Sequence, residues 1–165
     1  MARPGVQLGV DVGSVRIGVA VCDPDGLLAV PLETLPRGPG DIDRLVGLAA
    51  ERGAGGYVVG LPRTLSGSEG LAAQDCRRFA TALARRVAPA PVTLVDERLT
   101  TAAAAQALRG AGLSTRRSRP VVDQVAAAAL LQGALDAFRA TGDLPGEVVI
   151  LTDPRQDVAD ETGGA

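Results

Sequence analysis

Apolar and polar positions near the start of the chain alternate in three short blocks. Residues 6–12 (VQLGVDV), 16–23 (RIGVAVCD) and 27–35 (LLAVPLETL) are rich in Val, Leu and Ile, and their spacing predicts three strands. Gly13-Ser14 and Asp23-Pro24-Asp25-Gly26 fill the gaps with turn-forming residues, so the strands should form an antiparallel meander. Pro36 to Gly40 then breaks the chain. Asp41 is expected to cap a helix whose apolar positions Ile42, Leu45, Val46 and Ala49 share one face, ending at Gly53.

The next run, GGYVVGL (residues 55–61), is apolar throughout, as a buried central strand requires. A polar loop follows from Pro62 to Gly70, where Ser66 and Glu69 have capping-box spacing for a helix anchored by Leu71, Phe79, Leu83 and Val87. Pro89 and Pro91 stop it. PVTLVDE (residues 91–97) reads as another strand and residues 100–110 as an Ala-rich helix. After a basic loop, Pro120 opens a final helix running to about Thr141, and residues 147–151 offer a further short strand. The order βββαβαβαα predicts a single α/β domain over residues 1–152. Its core is a mixed five-stranded sheet, an antiparallel meander continued by parallel strands and flanked by helices. Residues 153–165 read as a flexible acidic tail.

Composition narrows the chemistry. The 165 residues contain no His, two Cys, no Trp and 2% aromatics, so the core must be built from Val, Leu, Ile and Ala. Without His there is no Ser-His-Asp triad, no histidine-rich zinc site and no imidazole base. Acid-base or metal work therefore falls to carboxylates. Cys22 and Cys76 form neither a CxxC motif nor a disulfide framework, and read as buried small hydrophobes of a reduced, cytoplasmic protein. No stretch of 18 uncharged apolar residues occurs, so no membrane span is expected.

Charge is unevenly distributed. The overall value is −2, but residues 143–165 hold six acids against Arg155, a net of −5 that leaves the rest of the chain at +3. Residues 98–122 carry Arg98, Arg109, Arg116, Arg117 and Arg119 and no acid, which suits a polyanionic partner. All 17 basic residues are Arg, which genome base composition explains better than phosphate recognition does.

Three acids stand out by position: Asp11 ending the first strand, Glu97 ending the last main strand, and Asp123 in the first turn of the last helix. Gln7, Gly9 and Asp11 share a strand face, with Gly9 and Gly13 permitting close approach. Asp96 and Glu97 point to opposite faces, so only one can join the cluster. Ala126 and Ala127 would let the last helix lie close over the sheet. Three clustered carboxylates repel unless a divalent cation neutralises them, and Mg²⁺ or Mn²⁺ prefers such oxygen ligands. Two such ions can activate water and stabilise the leaving oxygen in phosphodiester hydrolysis without any His. Each acid also fits an ordinary role: Asp11 as a turn former, Glu97 as a partner for Arg98 or Arg16, Asp123 as a helix-dipole acid. Their joint placement favours a site.

Four segments in order, DVGSVRIGVAVCDP, VGLPRTLSGSEG, VDERLTT and VDQVAAAALLQ, resemble the YqgF family, also called RuvX, over residues 8–135. The resemblance implies a ribonuclease H-like fold and an acidic site at Asp11, Glu97 and Asp123. It also implies a bacterial nuclease that processes the 5′ end of pre-16S rRNA or, in some members, resolves Holliday junctions. The chain departs from the family at Val15, where Lys is usual, and at Thr64, where Asn is common. Nucleic-acid contacts are expected from Arg16, Arg63 and Arg98 and from the basic loop with Arg109, Arg116, Arg117 and Arg119. The polar loop at residues 62–70 lacks the ending of a P-loop.

Two rival classes deserve comparison. An actin-like or sugar-kinase-like ATP-binding protein also begins with a strand and an Asp-x-Gly turn, but closes two such halves around its nucleotide, and 165 residues provide one. A non-catalytic rRNA-binding module could use the same arginines, yet carboxylates beside them would weaken phosphate binding unless metal is bound. The substrate, pre-16S rRNA or a four-way DNA junction, leaves no base-reading signature. Monomer and homodimer both stay open; symmetric junction cleavage would need two active sites.

Overall fold

The structure, a computed structural model, describes residues 3–63, 66–99 and 119–152. The expected helix at 100–110, most of the basic loop and the acidic segment 153–165 lie outside the described residues.

Strands β1 (Gln7–Val12), β2 (Arg16–Cys22) and β3 (Ala29–Pro36) form the antiparallel meander. The Asp23 carboxylate holds the second turn by accepting the N–H groups of Asp25, Leu27 and Leu28. After α1 (Asp41–Arg52), β4 (Gly56–Leu61) pairs parallel to β1. After α2 (Leu71–Val87), β5 (Val92–Asp96) pairs parallel to β4. A 3₁₀ turn (Glu97–Leu99), α3 (Arg119–Thr141) and β6 (Glu147–Val148) complete the described chain.

The sheet has six strands in the order β3-β2-β1-β4-β5-β6. The sixth is the two-residue β6, added antiparallel to β5 at the edge, so the expected count of five is one short. Glycine replaces the expected caps. Gly40 precedes α1 with φ 89° and no side-chain cap; Asp41 is instead the first helical residue, and its carboxylate accepts the N–H of Gly38 and of Ile42. Gly70 precedes α2, and Glu69, expected in a capping box, is bound by Arg77. Gly53 does end α1, in the left-handed conformation.

Two apolar layers sandwich the sheet. On one face Leu8, Val10, Ile17, Val19, Val59 and Leu61 pack against Leu45 and Leu48 of α1 and Phe79 and Leu83 of α2. On the other, Ala20, Val58 and Val95 meet Ala127, Leu131, Ala134 and Leu135 of α3, four residues with no exposed surface. By length and composition the stretch Pro120–Thr141 is apolar enough to cross a membrane. Its apolar side is occupied by the sheet. Further links tie α3 to β3: the Thr34 hydroxyl donates to the Pro120 carbonyl, and Gln132 accepts the Ala29 N–H at 2.9 Å.

Candidate active site

Asp11 lies near the C-terminal end of β1, an inner strand, and a glycine stands beside it on each neighbour. On one side Asp11 pairs with Gly18 of β2. A Cβ at position 18 would sit 2.0 Å from the Asp123 carbonyl oxygen, so the first turn of α3 rests directly on bare backbone. On the other side the β1–β4 ladder ends at the pair Val10 and Val59, which puts Gly60 next to Asp11. A Cβ there would lie 3.2 Å from both Cγ and Oε1 of Glu97. The two missing side chains thus bring Asp123 and Glu97 toward Asp11 from opposite sides.

Asp11 and Glu97 share a hydrogen bond in half-buried surroundings. Burial, then the charge of Asp123, raises the Asp11 carboxyl above its ordinary range. Burial, then the charge of Asp11, pushes Glu97 up to about 7. The contact between the two carboxyls opposes the rise at Asp11 and adds to it at Glu97, so the pair is harder to ionise fully than two separate carboxylates. Asp123 is engaged differently: its Oδ2 accepts from Arg16 Nε at 2.8 Å. Among the described residues, no three His, Cys, Asp or Glu side chains come together closely enough to hold a metal ion as they stand. Two carboxyls form a pair, and the third is turned to an arginine.

The other expected contacts divide sharply. Asp96 takes Arg98 in a bidentate arrangement, with Nη2 donating to Oδ2 at 2.6 Å and Nε to Oδ1 at 3.1 Å. Arg63 lies between Glu69 (3.6 Å) and Asp96 (3.8 Å) and donates to the Gly67 carbonyl. Arg63 and Arg98 therefore stand together around Asp96, and Arg16 stands at Asp123. Arg119 begins α3; its side chain, like Arg109, Arg116 and Arg117, lies outside the described residues. Cys22 and Cys76 are 5% and 1% exposed, and burial pushes the Cys76 thiol up to about 12, so both behave as core residues.

Sequence reasoning missed Arg37. Its Nη1 donates to the Gly13 carbonyl at 2.8 Å and to Asp75 of α2 at 2.8 Å, and its guanidinium lies 5.4 Å from the Phe79 ring centre. It thereby fastens the turn that follows Asp11 to α2. Nothing in local spacing marks such a residue, because its partners are 24 and 38 positions away.

The family model for RuvX, described as Holliday junction resolvase, matches residues 5–137. The chain belongs to the RuvX family. A relative from Thermobifida fusca, provisionally named pre-16S rRNA nuclease, is 55% identical over 154 residues, covering 89% of this chain and 97% of its own. One from a Nocardioides species bears the same name at 55% identity over 152 residues, with the same coverage. Among solved structures, Thermus thermophilus RuvC in complex with a Holliday junction substrate matches with a TM-score of 0.55 at 17% identity, covering 88% of this chain and 99% of that one. At that identity the likeness is one of fold, and it agrees with the ribonuclease H-like architecture that the motifs imply for RuvX.

Proposed function

We propose that this RuvX chain is a metal-dependent endonuclease that processes the 5′ end of pre-16S rRNA in the cytoplasm. Membership of a family of nucleases makes it a hydrolase of nucleic-acid ester bonds. The observation that carries the reading is the convergence on Asp11, where bare glycine backbone at positions 18 and 60 lets Asp123 and Glu97 approach, and both carboxyls of the Asp11–Glu97 pair are raised above their ordinary range. A divalent cation would offset the repulsion between such carboxyls, and their oxygens are the donors that Mg²⁺ or Mn²⁺ selects. Asp11, Glu97 and, once released by Arg16, Asp123 would hold the metal, as one ion or two. When bound, it supplies Lewis-acid activation of water and neutralises charge on the leaving oxygen.

The chain's own groups perform the remaining work. Glu97, titrating near 7, loses its proton to open the site at neutral pH. Arg37 fastens the turn that follows Asp11 by donating to the Gly13 carbonyl. Arg16, Arg63, Arg98 and the arginines of the basic loop supply charge for the phosphate backbone, which positions the substrate without reading bases. A second reading, cleavage of a four-way DNA junction, is favoured by the description of the family model. That activity calls for two active sites in a homodimer. Incubating precursor 16S rRNA and a synthetic four-way junction in parallel, with wild type and Asp11→Asn and with Mg²⁺, Mn²⁺ or EDTA, decides between them. Metal-dependent cleavage of the rRNA precursor alone supports the first reading, cleavage of the junction alone supports the second, and cleavage of neither by wild type overturns both.

Two further results are expected. A divalent cation must displace the Glu97 proton, so Mn²⁺ affinity should rise between about pH 6 and 8, and Glu97→Gln should flatten that rise. The metal-free fold should respond in the opposite sense. The folded state keeps a proton that the unfolded chain has released above pH 4.5, so melting temperature should fall as pH rises from 4.5 through 7. Calorimetric titration and thermal melts across that range check both.

Replacing Arg116, Arg117 and Arg119 together by Ala should weaken nucleic-acid binding and reduce its salt dependence while sparing Mn²⁺ binding. Each phosphate-neutralising arginine contributes roughly 0.7 to 0.9 to the slope of log K against log salt, so three contacts should lower it by about 2 to 3. An unchanged slope assigns the loop no part in binding.

A further inference from the structure

Arg16 and Asp123 are 107 positions apart in the chain and meet at 2.8 Å, the guanidinium Nε donating to Oδ2. Their side chains are 32% and 28% exposed, so the contact sits at the surface of the acidic site. The Asp123 backbone has little freedom. Its carbonyl rests against Gly18, and the preceding turn is held by the Thr34 hydroxyl on the Pro120 carbonyl. Side-chain rotation alone decides where this carboxylate goes. It remains near enough to Asp11 for its charge to be felt there. By its backbone position Asp123 belongs with the Asp11–Glu97 pair, and by its hydrogen bond it belongs to Arg16.

We infer that Arg16 is an internal counter-ion that occupies the Asp123 carboxylate until a divalent cation displaces it. The inference rests on the metal-dependent reading above and adds an order to it: Asp123 joins last, and its release frees a guanidinium at the mouth of the site for a substrate phosphate. Metal and phosphate then favour each other, because each takes one member of the same ion pair. The energetics permit such an exchange. A partly exposed single pair is weak, whereas a divalent ion interacts with several carboxylates together. A permanent structural bridge would act in the contrary direction: removing it would loosen α3, lower stability and weaken metal binding.

The test is a double-substitution cycle read by Mn²⁺ calorimetry on the full chain, with no turnover involved: wild type, Arg16→Gln, Asp123→Asn and the double variant. Losing the competitor should tighten Mn²⁺ binding about two- to fivefold, the size of a partly exposed ion pair. In the Asp123→Asn background the same substitution should change nothing, because the carboxylate competed for is already gone. Equal tightening in both backgrounds would reveal only the removal of a nearby positive charge, and unchanged or weaker binding would mean no competition; either result overturns the inference while leaving the metal site in place. Absence of Mn²⁺ binding in every variant, wild type included, overturns the metal reading together with it. Arg16→Met provides a second variant without the guanidinium, and metal-free melts on all of them confirm that the fold persists.

Discussion

Asp11→Asn, Glu97→Gln and Asp123→Asn should each lower metal-dependent cleavage by about 10²–10³-fold or more, the cost of losing one preorganised electrostatic partner, while leaving a folded protein. Each substitution removes a charge without changing shape, so the packing of β1, the 3₁₀ turn and the first turn of α3 is preserved. The three variants should differ in stability. At pH 8, Glu97→Gln removes a carboxyl that is costly to ionise beside Asp11, and its metal-free melting temperature should exceed that of wild type. Asp123→Asn loses the Arg16 ion pair and should melt at or slightly below the wild-type temperature. Cleavage assays with Mn²⁺ and melts at pH 5 and 8 read both effects. Normal turnover in any one variant removes that residue from the site.

Much of this arrangement was legible in the sequence, and the reason differs from element to element. The meander was readable because the turn residues of Asp23 to Gly26 and the apolar blocks around them act over a few positions. The buried strand at GGYVVGL was readable because a parallel strand covered on both faces has no polar alternation. The places of Asp11 near the end of β1 and of Glu97 just after β5 were readable from the apolar blocks before them. The helix starts were misread because the expected caps were side chains, whereas glycine backbone holds both positions and the carboxylates of Asp41 and Glu69 have other partners. Helix entry can be satisfied in several ways that local sequence does not rank. Long-range pairings stayed hidden for a further reason: Arg16 with Asp123, Arg63 with Asp96, and Arg37 with Gly13 and Asp75 depend on which strand faces which helix. The sequence presented Arg16, Arg63 and Arg98 as cations for phosphate, and the structure shows all three engaged with carboxylates.

The deepest determinant of the site is an absence of side chains, and it leads to the other large expected effect. Gly18→Ala should destabilise the protein by about 3 kcal/mol, the upper end of the range for overpacking, because the new methyl would lie 2.0 Å from the Asp123 carbonyl oxygen and 2.3 Å from its carbon. Both are backbone atoms of a helix held by Thr34 and Gln132, so neither can rotate aside. Relief requires lifting the first turn of α3 off the sheet, which carries Asp123 away from Asp11. Melting temperature should therefore fall by roughly 10 °C, with Mn²⁺ binding weakened as well. Gly60→Ala makes the instructive contrast. Its methyl would meet Leu130 Cδ2 at 2.9 Å and the Glu97 side chain at 3.2 Å, flexible ends that can shift. The stability cost should stay near 1 kcal/mol, the lower end of the same range, while Glu97 is pushed from its place beside Asp11 and cleavage drops. A pair of melts and Mn²⁺ titrations on these two variants separates the roles of the glycines: Gly18 seats the helix and Gly60 seats a carboxylate. Equal melting temperatures for both would mean that α3 does not rest on Gly18, and the geometric origin of the acidic site would then lie elsewhere.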